Sequence, residues 1–125
     1  MTTTEARDEI RDLLARYTWY FDTGRGEDWA SLFTDDGQLV VGDGPPVAGR
    51  AALEEMAANV KPGSMHHFIV NPAIEVDGDR ATCHCSLLLS QGQPPTFTMA
   101  GRYEDELARV DGRWRFRRRT VTLDL

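Results

Sequence analysis

From Met65 onward the chain consists of strands and turns, and this is what most narrows its fold. Met65 to Val76, Arg80 to Ser90, Thr96 to Arg109 and Arg113 to Leu123 are four long strand candidates. Asp77-Gly78-Asp79 and Asp111-Gly112 carry the chemistry of tight hairpin turns, and Gln91 to Pro95 makes a looser connection. Consecutive hairpins predict an antiparallel sheet.

The first half reads differently. Ile10, Leu13, Leu14, Tyr17 and Phe21 recur at three- and four-residue steps, which predicts a helix over residues 5–21 with one apolar face. Thr4 is its expected N-cap, and Gly24 and Gly26 interrupt the pattern after it. A short second helix runs through Trp29, Leu32 and Phe33, followed by the turn Thr34-Asp35-Asp36-Gly37 and a strand over Gln38 to Val41. Gly42 to Pro46 is a loop. Arg50 to Asn59 fits a third helix, led by Gly49 and closed by Pro62-Gly63. Helices first and antiparallel strands last define an α+β class, with a helical layer on one curved sheet. A length of 125 residues is one domain's worth, spanning 1–125.

Charge and composition exclude several functions. With 41% hydrophobic and 27% charged residues the chain folds rather than staying disordered. A net charge of −6 argues against nucleic acid as the main partner. Arg113, Arg115, Arg117 and Arg119 alternate, so in a strand they line one face, expected at solvent or a subunit boundary and paired to carboxylates. No apolar run approaches the roughly 20 residues that span a membrane. Glu5, Arg7, Asp8 and Glu9 at the start are unlike a secretory signal, so a cytoplasmic location is expected. Cys83 and Cys85 share a strand face at a spacing poorly suited to mutual bonding.

Strand parity sorts the polar residues. His67, Ile69 and Asn71 face one way and His66, Phe68 and Val70 the other. His84 opposes Cys83, Cys85, Leu87 and Leu89, while Met99, Gly101 and Tyr103 share a face. The concave side of a curved sheet, covered by helices, makes a pocket. Asp22 closes the first helix just after Tyr17 and Phe21 and needs a partner if it is buried. A histidine is the natural one, because carboxylate and imidazole together form an oriented acid–base. Adjacent strand residues point apart, so neither His66-His67 nor Cys83-His84-Cys85 suits a metal, and no metal is expected.

Several segments in order carry a family resemblance. They are Tyr17 to Asp22, Glu27-Asp28-Trp29, Leu32 to Gly37, Ala48-Gly49-Arg50, His66 to Asn71, Ile74 to Asp79, Gly101 to Leu107 and Asp111 to Trp114. Together they resemble the SnoaL-like branch of the nuclear transport factor 2-like superfamily. The resemblance implies a cone-shaped α+β barrel, three helices and a strongly curved, mostly antiparallel sheet around a pocket. Within the superfamily the site pattern is similar to that of scytalone dehydratase: Asp22 matches a helix-end carboxylate, and His67 and His84 match two catalytic histidines. Family tyrosines fall at Phe21 and near Val41, and serine and asparagine positions fall near Gly101 and Tyr103. Ketosteroid isomerase places its oxyanion tyrosine at Tyr17, but its aspartate falls near Val41 and is missing.

The resemblance implies a cofactor-independent lyase or isomerase, dehydratase-like, acting on a hydroxy-carbonyl, polyketide-like or steroid-like small molecule. Asp22 would orient His84, His67 would be the second proton carrier, and Tyr17 or Tyr103 would bind the enolate oxygen. Phe21, Trp29, Val41, Ile69, Asn71, Met99 and Tyr103 would line the pocket. The alternative is a noncatalytic binding or oligomerisation module of the same fold. A homo-oligomer, dimer or trimer, is expected, with neither nucleic acid nor membrane as partner.

Overall fold

A computed structural model describes residues 1–124. The first helix, α1 (Thr3–Asp22), is capped by Thr2, whose hydroxyl accepts the Glu5 N–H at 3.1 Å, so the cap lies two residues before Thr4. Its apolar stripe buries Ala6, Ile10, Leu13, Leu14 and Tyr17. The short α2 (Gly26–Ala30) stops before Leu32 and Phe33, because Phe33 is taken up by a strand. The third helix, α3 (Arg50–Ala58), buries Leu53 and Ala57.

Among the described residues there are six strands: β1 (Phe33–Val41), β2 (Val47–Ala48), β3 (Met65–Asp77), β4 (Arg80–Gln91), β5 (Thr96–Val110) and β6 (Arg113–Asp124). The four long ones follow the expected course, β1 starts earlier than Gln38, and the two-residue β2 lies outside the expected strands. All six form one sheet in the order β2-β1-β6-β5-β4-β3. The sheet is open, with β2 and β3 at its edges. Among the described residues only the β1–β6 pair is parallel; β1–β2 and the three long hairpin pairs are antiparallel. The turn expected at Thr34 to Gly37 lies within β1: Phe33 pairs with Phe116 and Gln38 with Arg118, and the residues between them bulge out.

Two further bulges decide which residues reach the core. In β3 the register shifts between Val70 and Ala73, where Asn71 takes a left-handed φ of 57°. His67 and Ile69 face the helices before the bulge, and Ile74 and Val76 face them after it. In β6 the register shifts between Phe116 and Arg118. Trp114 and Phe116 are therefore buried, Arg117 and Arg118 are both exposed, and Arg119 and Val121 turn inward. Arg113 and Arg117 reach solvent as alternation predicts, but Arg119 does not; a strand's two-residue period is reset by one extra residue.

Gly26 lets α2 and α3 approach closely, since a Cβ there would collide with the Glu54 carbonyl oxygen and lie 2.9 Å from the Ala58 methyl. Gly26→Ala is expected to cost about 1–3 kcal/mol through overpacking. Urea unfolding curves of the two proteins measure this, and coincident midpoints would contradict it.

Candidate functional site

Where α1 ends, it meets the sheet edge. Asp22 is the last helical residue, and both of its carboxylate oxygens go to His67: one accepts the backbone N–H at 2.8 Å and the other meets the ring Nδ1 at 2.6 Å. Because β3 is an edge strand, half of its N–H groups have no ladder partner, and Asp22 supplies one at His67. A carboxylate accepts and does not donate, so Nδ1 carries the proton and Nε2 is left for a ligand. The His67 ring stands edge-on to Phe21, with centroids 5.3 Å apart, which further limits its rotation. Both side chains are mostly buried, each 13% exposed.

The pair opens onto a groove of about 690 Å³ between α1 and β3. Its helical wall is a stripe of Arg11, Leu14, Ala15, Thr18, Trp19 and Asp22, spaced at one turn. The opposite wall is β3 from His66 to Val70 together with Pro72. Residues of both parities line it because the groove runs along the free edge of the strand. His66 and His67 thus both border it, although their side chains start from opposite faces of the sheet.

The structure rearranges the expected site. His84 pairs with Ala73 and Glu104 and is exposed on the outer face, because its neighbours Cys83 and Cys85 take the inner one. The Asp22–His84 dyad is therefore replaced by Asp22–His67. Val41 is 37% exposed at the far end of β1. Asn71 is also exposed, turned away by the bulge it occupies. Neither lines the groove. Trp29 is fully buried behind Tyr17 and Phe21, and Met99 is half-buried on β5. Of the expected lining residues, Ile69 borders the groove and Phe21 touches the His67 ring.

Tyr17 and Tyr103 face the interior instead, around a group that strand alternation places outside. The Arg119 guanidinium lies 3.5 Å from the Tyr103 ring centre, 4.2 Å from Tyr17 and 4.7 Å from Phe116. Its Nε meets Asp105 Oδ1 at 3.0 Å, and Nη2 donates to the Cys85 sulfur at 3.4 Å. The ion pair is off-axis: neither Asp105 oxygen and neither Nε nor Nη1 of Arg119 completes a hydrogen bond. Charge and aromatic faces hold this arginine more than aligned bonds do. The parity change from Trp114 and Phe116 to Val121 and Leu123 is the sequence signal that could have located it.

Burial pushes the Tyr17 hydroxyl up to about 12, and Tyr103 is raised well above the ordinary range for the same reason. Burial also lifts Asp105 to about 6, against the opposing attraction of Arg119. Cys83, Cys85 and Asp105 bring their ligand atoms within 4.8 Å of one another. The Arg119 guanidinium already occupies the cationic position beside Cys85 and Asp105, so the cluster is an ion-pair nest rather than a vacant metal centre.

With this geometry in view, residues 2–120 match the SnoaL-like domain family. The chain belongs to that family. A structure of an Asp-to-Asn variant of Rv3472, described as a protein of unknown function from Mycobacterium tuberculosis, is 31% identical. That likeness covers 99% of this chain and 77% of the other, with a TM-score of 0.87. An NTF2-like protein with a cystatin-like fold from Novosphingobium aromaticivorans is 27% identical over 96% of this chain and 82% of its own, with a TM-score of 0.86. A scytalone dehydratase candidate from the same organism is 23% identical over 98% and 85%, with a TM-score of 0.84, which shows a shared fold. No protein of curated description matches the chain significantly in sequence. No helix among the described residues of this SnoaL-like chain is long and apolar enough to cross a membrane.

The buried pair generates a paired prediction. Asp105→Ala or Arg119→Ala alone should cost about 3–5 kcal/mol, because each leaves a buried charge without its partner. Asp105→Leu combined with Arg119→Met should cost much less than the two losses added. An Asp105 carboxyl raised above its unfolded value makes the folded state bind the extra proton, so its contribution to stability grows as pH falls through about 6. Wild type minus Asp105→Asn stability, followed by urea unfolding from pH 8 to pH 5, should therefore rise toward pH 5. A flat difference would refute it.

Proposed function

We propose that this SnoaL-like protein is a small lyase or isomerase, dehydratase-like, in which the Asp22–His67 pair moves a proton on a hydroxy-carbonyl substrate. The carrying observation is the 2.6 Å contact of Asp22 with His67 Nδ1, which fixes the ring and leaves Nε2 beside the apolar groove. Nε2 takes a proton from the carbon next to a carbonyl. The imidazolium so formed is stabilised by Asp22, and the same nitrogen can return the proton to a departing hydroxyl. One histidine serves both steps, since His84 lies on the other face of the sheet. His66 also borders the groove and can donate to a substrate oxygen. Tyr17 and Tyr103 have no part in the chemistry, being buried in the Arg119 cage. The groove is lined mainly by Leu14, Ala15, Trp19, Phe68, Ile69 and Val70, which suits an apolar, polyketide-like or steroid-like body. This chemistry calls for no cofactor.

A panel of β-hydroxy ketones incubated in D₂O, followed by NMR for exchange at the carbon next to the carbonyl and for loss of water, tests the reading. Asp22→Asn and His67→Ala should each lower the rate by about 10²- to 10⁴-fold, with His84→Ala near wild type. Unchanged rates in the Asp22 and His67 variants would remove the pair from the mechanism. Saturable binding with no exchange by the wild type would favour the noncatalytic module of the same fold.

A homo-oligomer, dimer or trimer, fits the outer face of the sheet. Phe68, Val70, Leu88 and Phe97 are exposed there, and the Phe68 and Phe97 rings already pack 5.8 Å apart. Leu88→Glu should lower the sedimenting mass to that of one chain without changing the far-ultraviolet circular dichroism. An unaltered mass would exclude this face as the contact.

A further inference from the structure

A second groove lies on the opposite side of α1 from the Asp22–His67 pair, and its character is reversed. It measures about 550 Å³ and is bounded by Glu9, Leu13, Arg16 and Tyr20 of α1, by Asp28, Ser31 and Leu32, and by Arg113, Trp114 and Arg115 of β6. The α1 residues fall at intervals of three or four, so one helix walls both grooves with two different stripes.

Guanidinium groups converge on this groove. Arg113 leads β6 out of its tight turn, and Arg115, two residues later, projects to the same side. Arg115 is fixed by one bond, Nη1 donating to the Ser31 carbonyl oxygen at 2.7 Å, and its Nε has no partner. Arg16 faces them from α1. None of these three makes an ion pair among the described residues. Two carboxylates border the same space. Asp28 is already held by Arg25, whose Nε and Nη2 reach it at 2.8 and 2.6 Å, and Arg25 lies over the Tyr20 ring. Glu9 is the other carboxylate, facing three arginines that make no ion pair among the described residues. A concentration of positive charge in a concave place is notable on a chain whose net charge is −6.

We infer that this groove binds a small organic anion, with Arg16, Arg113 and Arg115 holding its carboxylate or phosphate groups and the half-buried Tyr20 ring meeting its apolar part. Guanidinium forks match planar or tetrahedral oxyanions with paired hydrogen bonds, and arginines on two separate elements can grip two such groups at once. The groove's volume is that of a small-molecule site. A nucleic-acid strand is a poor occupant for a groove with three arginines on a chain whose net charge is −6. The site is separate from the Asp22–His67 groove and does not depend on that pair's chemistry.

Isothermal titration at low ionic strength with inorganic pyrophosphate and, separately, with citrate tests the inference. The expected result is saturable one-to-one binding of at least one of them, weakened by added salt. Arg16→Gln and Arg113→Gln, both surface changes that leave the fold intact, should each weaken it about five- to tenfold, the loss of one charged hydrogen-bonding partner. Arg117→Gln, outside the groove, should leave it unchanged. Binding of pyrophosphate alone assigns a phosphate-bearing ligand, and binding of citrate alone assigns a carboxylate. The absence of saturable heat with both anions would overturn the site. So would equal affinities across wild type, Arg16→Gln and Arg113→Gln, which would mean only diffuse attraction to the surface. Asp22→Asn should bind as wild type does, so failure of the catalytic reading and failure of this one are told apart.

Discussion

The interior of this protein is arranged around one buried cation. Arg119 enters the space between the helices and the sheet, where an apolar side chain would be the simpler choice. Its desolvation is offset by Asp105 and by three aromatic faces at once, from Tyr103, Tyr17 and Phe116. Tyr17 also packs on Trp29 and Phe33, and Phe116 on Phe33, so the charge and the aromatic core are one assembly. Tyr17 and Tyr103 are occupied in forming the cage. With the interior filled in this way, two ligand-sized grooves lie along the flanks of α1.

That displacement gives α1 its role. Its inner stripe anchors the core, and the residues on either side of that stripe face two grooves of different chemistry. The end of the helix is equally consequential. By accepting both the backbone N–H and the ring of His67, Asp22 ties α1 to the free edge of β3 and orients an imidazole in the same act. A structural tether and a candidate acid–base are the same two residues. Substituting either one therefore acts on the position of the strand edge as well as on proton transfer, which is why folding must be compared alongside rates.

Much of this was legible in the residues themselves. The 3.6-residue recurrence from Ile10 to Phe21 located α1, and the Asp-Gly turns located the β3–β4 and β5–β6 hairpins. Asp22 and His67 could be picked out, one at a helix end and the other on the parity of Ile69. Their pairing could not. His84 was as good a partner by type and by resemblance, and only the position of β3 at the sheet edge, against α1, sets His67 beside Asp22. Alternation carried unbroken from Arg113 places Arg119 on the wrong face. The shift from Trp114 and Phe116 to Val121 and Leu123 contained the evidence for a bulge.

The sequence by itself determined the α+β class, the order of elements, the hairpins and the family, since these follow from local periodicity, turn chemistry and an ordered set of motifs. Tertiary structure alone decided which histidine meets Asp22, which arginine is buried and where the grooves run. Each of those depends on strand order and on single-residue bulges. A bulge changes the facing of every residue beyond it, while its own cause lies in the register with a neighbouring strand, often distant in the chain.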